Sequence, residues 1–215
     1  MLTADDRDAI VDLAPVLRRA IELDPRSLAR LRLGGSTATV LVRLPFAVLV
    51  SRTVDASPRD LSLDLTTRAA DLLDWLDARP GRPAIDPPAR DLEWRTGIPP
   101  TSGWRRVEEV PDTDLRPLVQ SGALALKEAA EREGVPGAQP RAEVADALLD
   151  SVVLTATDGD VTAEITLRTV SALTRMGFLP RGGRAYIDVV GRWVRLVAEY
   201  GTVYLERPGQ SLGLA

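Results

Sequence analysis

Seven prolines fall between Pro80 and Pro111, accompanied by Gly81, Gly97, Gly103 and two tryptophans. Each proline removes a backbone donor and fixes one dihedral, so no long helix or central strand can pass through this stretch. A connection of this length is unusual inside one compact domain. The chain is therefore expected to divide. An N-terminal α+β lobe should occupy residues 1–79, a Pro/Trp-rich connecting arm 80–112, and a C-terminal helical lobe with a β-hairpin 113–207, followed by a disordered tail at 208–215.

In the first lobe, Ile10, Leu13, Ala14, Leu17, Ala20 and Ile21 recur at helical spacing within Asp5–Leu23, with Pro15 marking a kink or a restart. Ser27–Leu33 reads as a second short helix stopped by Gly34-Gly35. From Ser36 to Val54 the period shortens, giving two strands broken at Pro45, the second buried. Ala56-Ser57-Pro58 reads as a turn, and Leu65–Ala78 as a helix with Asp71, Asp74 and Asp77 on its wet side.

In the second lobe, helices are expected over Asp114–Arg132 and from Pro140 to about Ala156. The β-branched run Val152–Thr155 also admits a strand, paired through Asp158-Gly159 with Val161–Leu167. A helix around Thr169–Met176 follows, then strands at Ala185–Val190, Trp193–Ala198 and Thr202–Glu206. The fold class is α+β, with helices packed on short antiparallel sheets. Leu31–Gly35 and Leu179–Gly183 both precede strands and share a glycine pair, an echo short enough to arise by chance.

The order of the C-terminal elements, a helix ending at Met176-Gly177-Phe178-Leu179 and then a hairpin, resembles that of winged-helix domains. The resemblance implies a helix that can enter the major groove and a wing whose arginines meet phosphate. Arg168 and Arg175 would lie on that helix, with Arg181, Arg184, Arg192 and Arg195 near the wing. The resemblance requires a helix, not a strand, at Val152–Thr155.

Missing residue types narrow the chemistry. The chain has no Cys and no His, which removes thiol and imidazole nucleophiles, Ser-His-Asp triads and the commonest metal ligands. Any acid–base residue would be Asp, Glu, Tyr or the single Lys127. Asp158-Gly159-Asp160 lacks the glycine and glutamate spacing of a calcium loop, and neither glycine pair has a phosphate-cradling spacing. No catalytic, cofactor or metal site is visible.

The net charge of −4 disfavours a coat on nucleic acid or an anionic membrane. The arginines of Thr166–Arg207 nevertheless outnumber its three acids, Asp188, Glu199 and Glu206. The longest apolar run, Ala38–Val50, is broken by Arg43 and Pro45 and is too short to span a bilayer. Three aspartates near the N-terminus stand where a secretory leader needs positive charge, so a cytoplasmic location is expected.

Trp94, Arg95, Trp104 and Arg105 interleave the residue types favoured at binding hot spots. The sequence thus reads first as a non-enzymatic binding or regulatory protein acting through a protein partner or self-association. The arm and the C-terminal hairpin would be its presenting surfaces. A DNA-binding regulator comes second, and an enzyme using Asp or Glu chemistry third.

Overall fold

The computed structural model describes residues 2, 4–78, 85–132 and 142–207. The tail at 208–215, expected to be disordered, lies outside them, as do residues 80–84 of the arm. Two compact units result, Met1–Gly97 and Ile98–Ala215.

The first unit is built on one long antiparallel ribbon, β1 (Leu28–Arg43) with β2 (Leu49–Arg68), in register from Leu28 opposite Arg68 to Arg43 opposite Leu49. Helices α1 (Ala4–Ile10), α2 (Ala14–Leu23) and α3 (Ala69–Leu76) belong to the same unit. Pro15 opens α2 at its first turn, where its missing N–H would have no partner anyway. Leu13, Leu17, Ala20, Leu31, Val40 and Leu72 are fully buried. Arg18 clamps Asp77 with two bonds of 2.8 and 3.0 Å, tying α2 to the end of α3.

Three expectations for this unit are corrected. Ser27–Leu33 is strand from Leu28 onward, because Ala29, Leu31 and Leu33 are buried while Arg30 and Arg32 alternate with them on the other face. Gly34-Gly35 therefore lies within a strand, and the glycine echo joins no equivalent positions. Ala56–Pro58, expected as a turn, belongs to β2, where register shifts around Gly35 absorb the extra residues. Leu65–Arg68 is also strand, so α3 begins only at Ala69.

The second unit holds an antiparallel sheet in the order β8 (Gly201–Glu206), β7 (Trp193–Ala198), β6 (Arg184–Val190), β3 (Arg105–Pro111). A separate hairpin joins β4 (Val152–Asp158) and β5 (Val161–Thr166). Helices α4 (Asp112–Arg132), α5 (Ala142–Leu149) and α6 (Leu167–Arg175) complete it. Among them α6 is the most buried, packing on α4 and against β5, β7 and β8. Its approach to α4 is close: a Cβ on Gly122 would meet the Leu167 side chain at 2.5 Å.

Helix α6 ends in a Schellman motif, with Gly177 at φ 63°, its N–H on the Thr174 carbonyl at 3.0 Å and the Phe178 N–H on the Leu173 carbonyl at 3.0 Å. Phe178 is thereby turned into the core, where it is 1% exposed. Tyr200 donates its N–H to the Phe178 carbonyl at 3.1 Å, fixing the β7–β8 turn on the end of the helix.

The helix expected to run to Ala156 stops at Leu149, and Val152–Asp158 is strand. Ser151 closes the helix through its hydroxyl on the Leu148 carbonyl, and Gly159 at φ 60° supplies a two-residue hairpin turn. The winged-helix order needed a helix here. The chain instead runs hairpin, helix and three-stranded meander. Mixed helix and antiparallel sheet, the coarser expectation, is what the fold shows.

Candidate functional site

Strand β6 turns Ala185 and Ile187 inward, fully buried, and sends Tyr186 and Asp188 to the opposite face. Register then sets a row across four strands: Arg106 on β3 opposite Asp188, Asp188 opposite Arg195 on β7, Arg195 opposite Tyr204 on β8. Opposite charges placed cross-strand attract, and here one carboxylate serves two cations.

The Asp188 side chain is only 3% exposed. Arg106 Nε donates to its Oδ1 at 3.0 Å, and Arg195 Nε donates to its Oδ2 at 2.9 Å, with Arg195 Nη2 2.8 Å from the same oxygen. Each guanidinium also lies over an aromatic ring, Arg106 at 3.9 Å from the Tyr186 centroid and Arg195 at 4.2 Å from that of Trp104. Trp104 is held by its indole N–H on the Pro100 carbonyl at 2.8 Å, and meets Tyr204 at 5.9 Å with tilted planes. Arg184 on β6 pairs with Glu109 on β3, and Arg192, in the β6–β7 turn, pairs with Glu206 at the end of β8. The Glu109 hydrogen bond raises the pKa of Arg184.

This face is rigid, half-wet, aromatic and marginally cationic, its four arginines meeting three carboxylates. Among the described residues Arg106 commits only its Nε–H to a hydrogen bond, and its side chain is 55% exposed. Two Nη groups remain in a planar fork that suits a carboxylate.

The residues singled out in the sequence are distributed as follows. Trp104 and Arg195 meet on the sheet face, with Arg184 and Arg192 beside them. Arg105 belongs to another contact: its guanidinium clasps the β4–β5 turn, at 2.9 Å from Asp158 Oδ2 and 3.1 Å from Asp160 Oδ1. These hydrogen bonds raise the pKa of Arg105. The pKa of Asp160 is lowered by its own backbone N–H first and Arg105 second. Trp94 lies in the first unit, 5.8 Å from the guanidinium of Arg30, and Arg95 beside it is exposed. Arg30 in turn forks onto Asp64 at 2.7 and 2.9 Å.

Arg168 is 5% exposed and ion-paired to Asp150 at 2.6 Å. Arg175 and Arg181 are exposed and form no ion pair among the described residues. Asp188, Tyr186 and Tyr204 were not anticipated. The available signal was a lone aspartate at an alternate position of an apolar strand, and its partners needed the register. Among the described residues no group of His, Cys, Asp or Glu is arranged to hold a metal ion. No described helix is long and apolar enough to cross a membrane.

Solved structures share this fold. The DNA polymerase sliding clamp of Pseudomonas aeruginosa, determined with a ligand, is 14% identical with a TM-score of 0.58, over 94% of this chain and 63% of that one. The DNA polymerase III subunit beta of the same organism gives 13% identity and 0.59, over 93% and 62%. The Caulobacter crescentus sliding clamp gives 14% and 0.56, over 93% and 63%. This chain thus spans somewhat under two thirds of the length of those proteins, and at such identity the likeness is one of fold. No curated protein matches the sequence. Residues 1–96 match a second family described as a domain of unknown function, DUF8010. Residues 99–210, just over half of the chain and all of the sheet face, match the domain of unknown function DUF8185, and the chain belongs to that family.

Proposed function

We propose that this protein is a non-enzymatic binding module that acts through a protein partner, using the outer face of the β8-β7-β6-β3 sheet. The observation that carries the reading is Asp188, a buried carboxylate holding two arginines, each lying over an aromatic ring. Fixing a guanidinium before binding removes much of the rotamer entropy that a free arginine would lose on contact. Trp, Tyr and Arg are the residues in which binding energy concentrates. The free Nη edge of Arg106, beside Tyr186, suits a partner segment that presents an acidic side chain next to an apolar one. The likeness to sliding clamps, subunits of a polymerase, agrees with a role in assemblies.

The test is quantitative capture from native extract on the tagged full chain, beside Arg106→Glu and Arg26→Glu. Arg26 is a charge-matched control, with a side chain 86% exposed. A specific protein should be retained by the wild type and Arg26→Glu and lost at least about tenfold with Arg106→Glu, the size of a modest hot spot. Equal retention by all three refutes the proposal.

A second reading, contact with DNA, is favoured by the same fold likeness, since the matched structures are of a DNA polymerase subunit. Arg175 and Arg181 would be its first contacts, because their charges are uncommitted. Were about four phosphates contacted, affinity for duplex DNA would fall roughly 10²-fold between about 50 and 200 mM salt. Absence of binding at the lower salt removes this reading.

A further inference from the structure

The ribbon of the first unit has a charged face on which one residue is out of keeping. Arg30 stands opposite Thr66 and Arg32 opposite Asp64, and residues paired across two strands share a face. Arg30, Arg32 and Asp64 all keep access to solvent there, yet Thr66 is fully buried. The arm segment Arg90–Trp94 covers it. The Arg90 N–H donates to the Thr66 carbonyl at 2.7 Å, the Thr66 N–H donates to Asp91 Oδ1 at 2.8 Å, and the short 3-10 turn Asp91–Glu93 packs on β2. Trp94 closes that turn with its N–H on the Asp91 carbonyl at 3.3 Å. Its ring meets the guanidinium of Arg30, on the face that carries the Thr66 hydroxyl.

Three side-chain atoms at this junction, Thr66 Oγ1, Arg90 Nε and Trp94 Nε1, are closed off from solvent and have no hydrogen-bond partner among the described residues. Arg90 commits its Nη1 to Glu93 Oε1 at 2.6 Å, which leaves the Nε–H unserved. A guanidinium Nε–H and an indole N–H can only donate, whereas a hydroxyl also accepts. Unpaired groups of this kind are costly in an interior, and native structures seldom keep them.

We propose that a single internal water molecule bridges the arm to the ribbon here, accepting from Arg90 Nε–H and Trp94 Nε1–H and donating to Thr66 Oγ1. About three bonds to otherwise unsatisfied groups is the usual coordination of a buried water. Charge selects water over the other small acceptor, an anion. Asp91 is bonded to Thr66 itself and Glu93 to Arg90, so an anion would be set beside two carboxylates, whereas water brings no charge. Trp94 then serves the chain's own arm, its polar edge on the water and its ring against Arg30. The site lies wholly within the first unit and is independent of the sheet-face reading.

Oxygen-17 relaxation dispersion of the solvent detects water that stays bound for longer than the protein takes to tumble. Its amplitude should be larger for the full wild-type chain than for the double variant Thr66→Val with Trp94→Phe, which removes the hydroxyl and the indole N–H but keeps a branched side chain and an aromatic ring. In the wild type the Trp94 indole proton should also give a direct cross-peak to water. Each single change should raise the unfolding equilibrium constant about five- to tenfold in urea unfolding. Because both act through one water, the double variant should fall short of the product of the two by about threefold or more. If a variant fails to fold, the wild-type cross-peak decides. An indole proton with no water cross-peak, a dispersion unchanged in the double variant, or single effects that simply multiply overturns the proposal. So does a stabilisation by chloride at constant ionic strength that Trp94→Phe abolishes, which would identify an anion in place of water.

Discussion

Replacing Asp188 by Asn should cost the second unit about 2–3 kcal/mol. The substitution keeps the shape but removes the charge and turns an amide N–H toward a guanidinium. Breaking a buried ion pair from one side costs about 3–5 kcal/mol when the surviving charge stays buried. Arg195, with a side chain 23% exposed, approaches that case, whereas Arg106 at 55% is rehydrated at little cost, which brings the figure below the full range. For a chain of this length each kcal/mol moves the midpoint by about 2–4 °C, so thermal unfolding should shift down by roughly 5–10 °C. The assay is calorimetry with parallel urea unfolding. A companion double variant, Asp188→Leu with Arg195→Met, replaces the pair by apolar volume and should recover much of the loss, because a buried ion pair is worth little against well-packed hydrocarbon. An Asp188→Asn protein within about 0.5 kcal/mol of wild type, the scatter of an ordinary surface substitution, would refute the claim that this carboxylate holds the face together.

Two further outcomes follow from single positions. A Cβ on Gly201 would lie 2.6 Å from the ring of Phe178, itself 1% exposed, so Gly201→Ala should lose about 2–3 kcal/mol in urea unfolding through overpacking, with partial recovery on adding Phe178→Leu. The pKa of Asp112 is lowered, chiefly by the hydrogen bond from Arg116 at 2.8 Å and then by the Gly182 N–H. The folded value lies below the unfolded one, so the stabilisation is complete above the ordinary carboxylate range near pH 4 and is lost as pH falls through the folded value. Urea midpoints at pH 7 and at about pH 3 should therefore differ less in Asp112→Asn than in wild type, and an equal difference would deny that contribution.

What could be read from the sequence was local, and what could not was register. The end of α6 was written into Met176-Gly177-Phe178, because a helix stop at glycine followed by an apolar residue is satisfied within a few residues. Trp193–Ala198 was bounded as observed, between two glycine-containing turns. Ser27–Leu33 failed because leucines at 28, 31 and 33 fit a helical stripe as well as an alternating strand, and only the partner strand decides between them. Val152–Ala156 failed in the opposite way: the preceding apolar residues on α5 kept helical phase into a β-branched run, and the break at Asp150-Ser151 held no glycine or proline to mark it. Trp104 was suggested by residue type alone. Asp188 became visible only when β3 and β7 were set on either side of β6, across 82 and 7 residues of chain.

The same contrast shows how arginine is used in this chain. Nearly every basic residue here is Arg, and a count of positive charge points to phosphate. The structure uses guanidinium for its shape instead. It forks onto Asp64 from Arg30, clasps the Asp158–Asp160 turn from Arg105, and lies flat over Tyr186 and Trp104 from Arg106 and Arg195. Lysine, a hydrated point charge, could do none of these equally well. Four of the six arginines first associated with nucleic acid, Arg168, Arg184, Arg192 and Arg195, already hold carboxylates of their own chain. A phosphate would have to displace those carboxylates and pay for stripping them from their partners. A protein segment need only reach the Nη edge that Arg106 leaves open, with Tyr186 beneath it, and so meets a surface whose ordering was completed during folding.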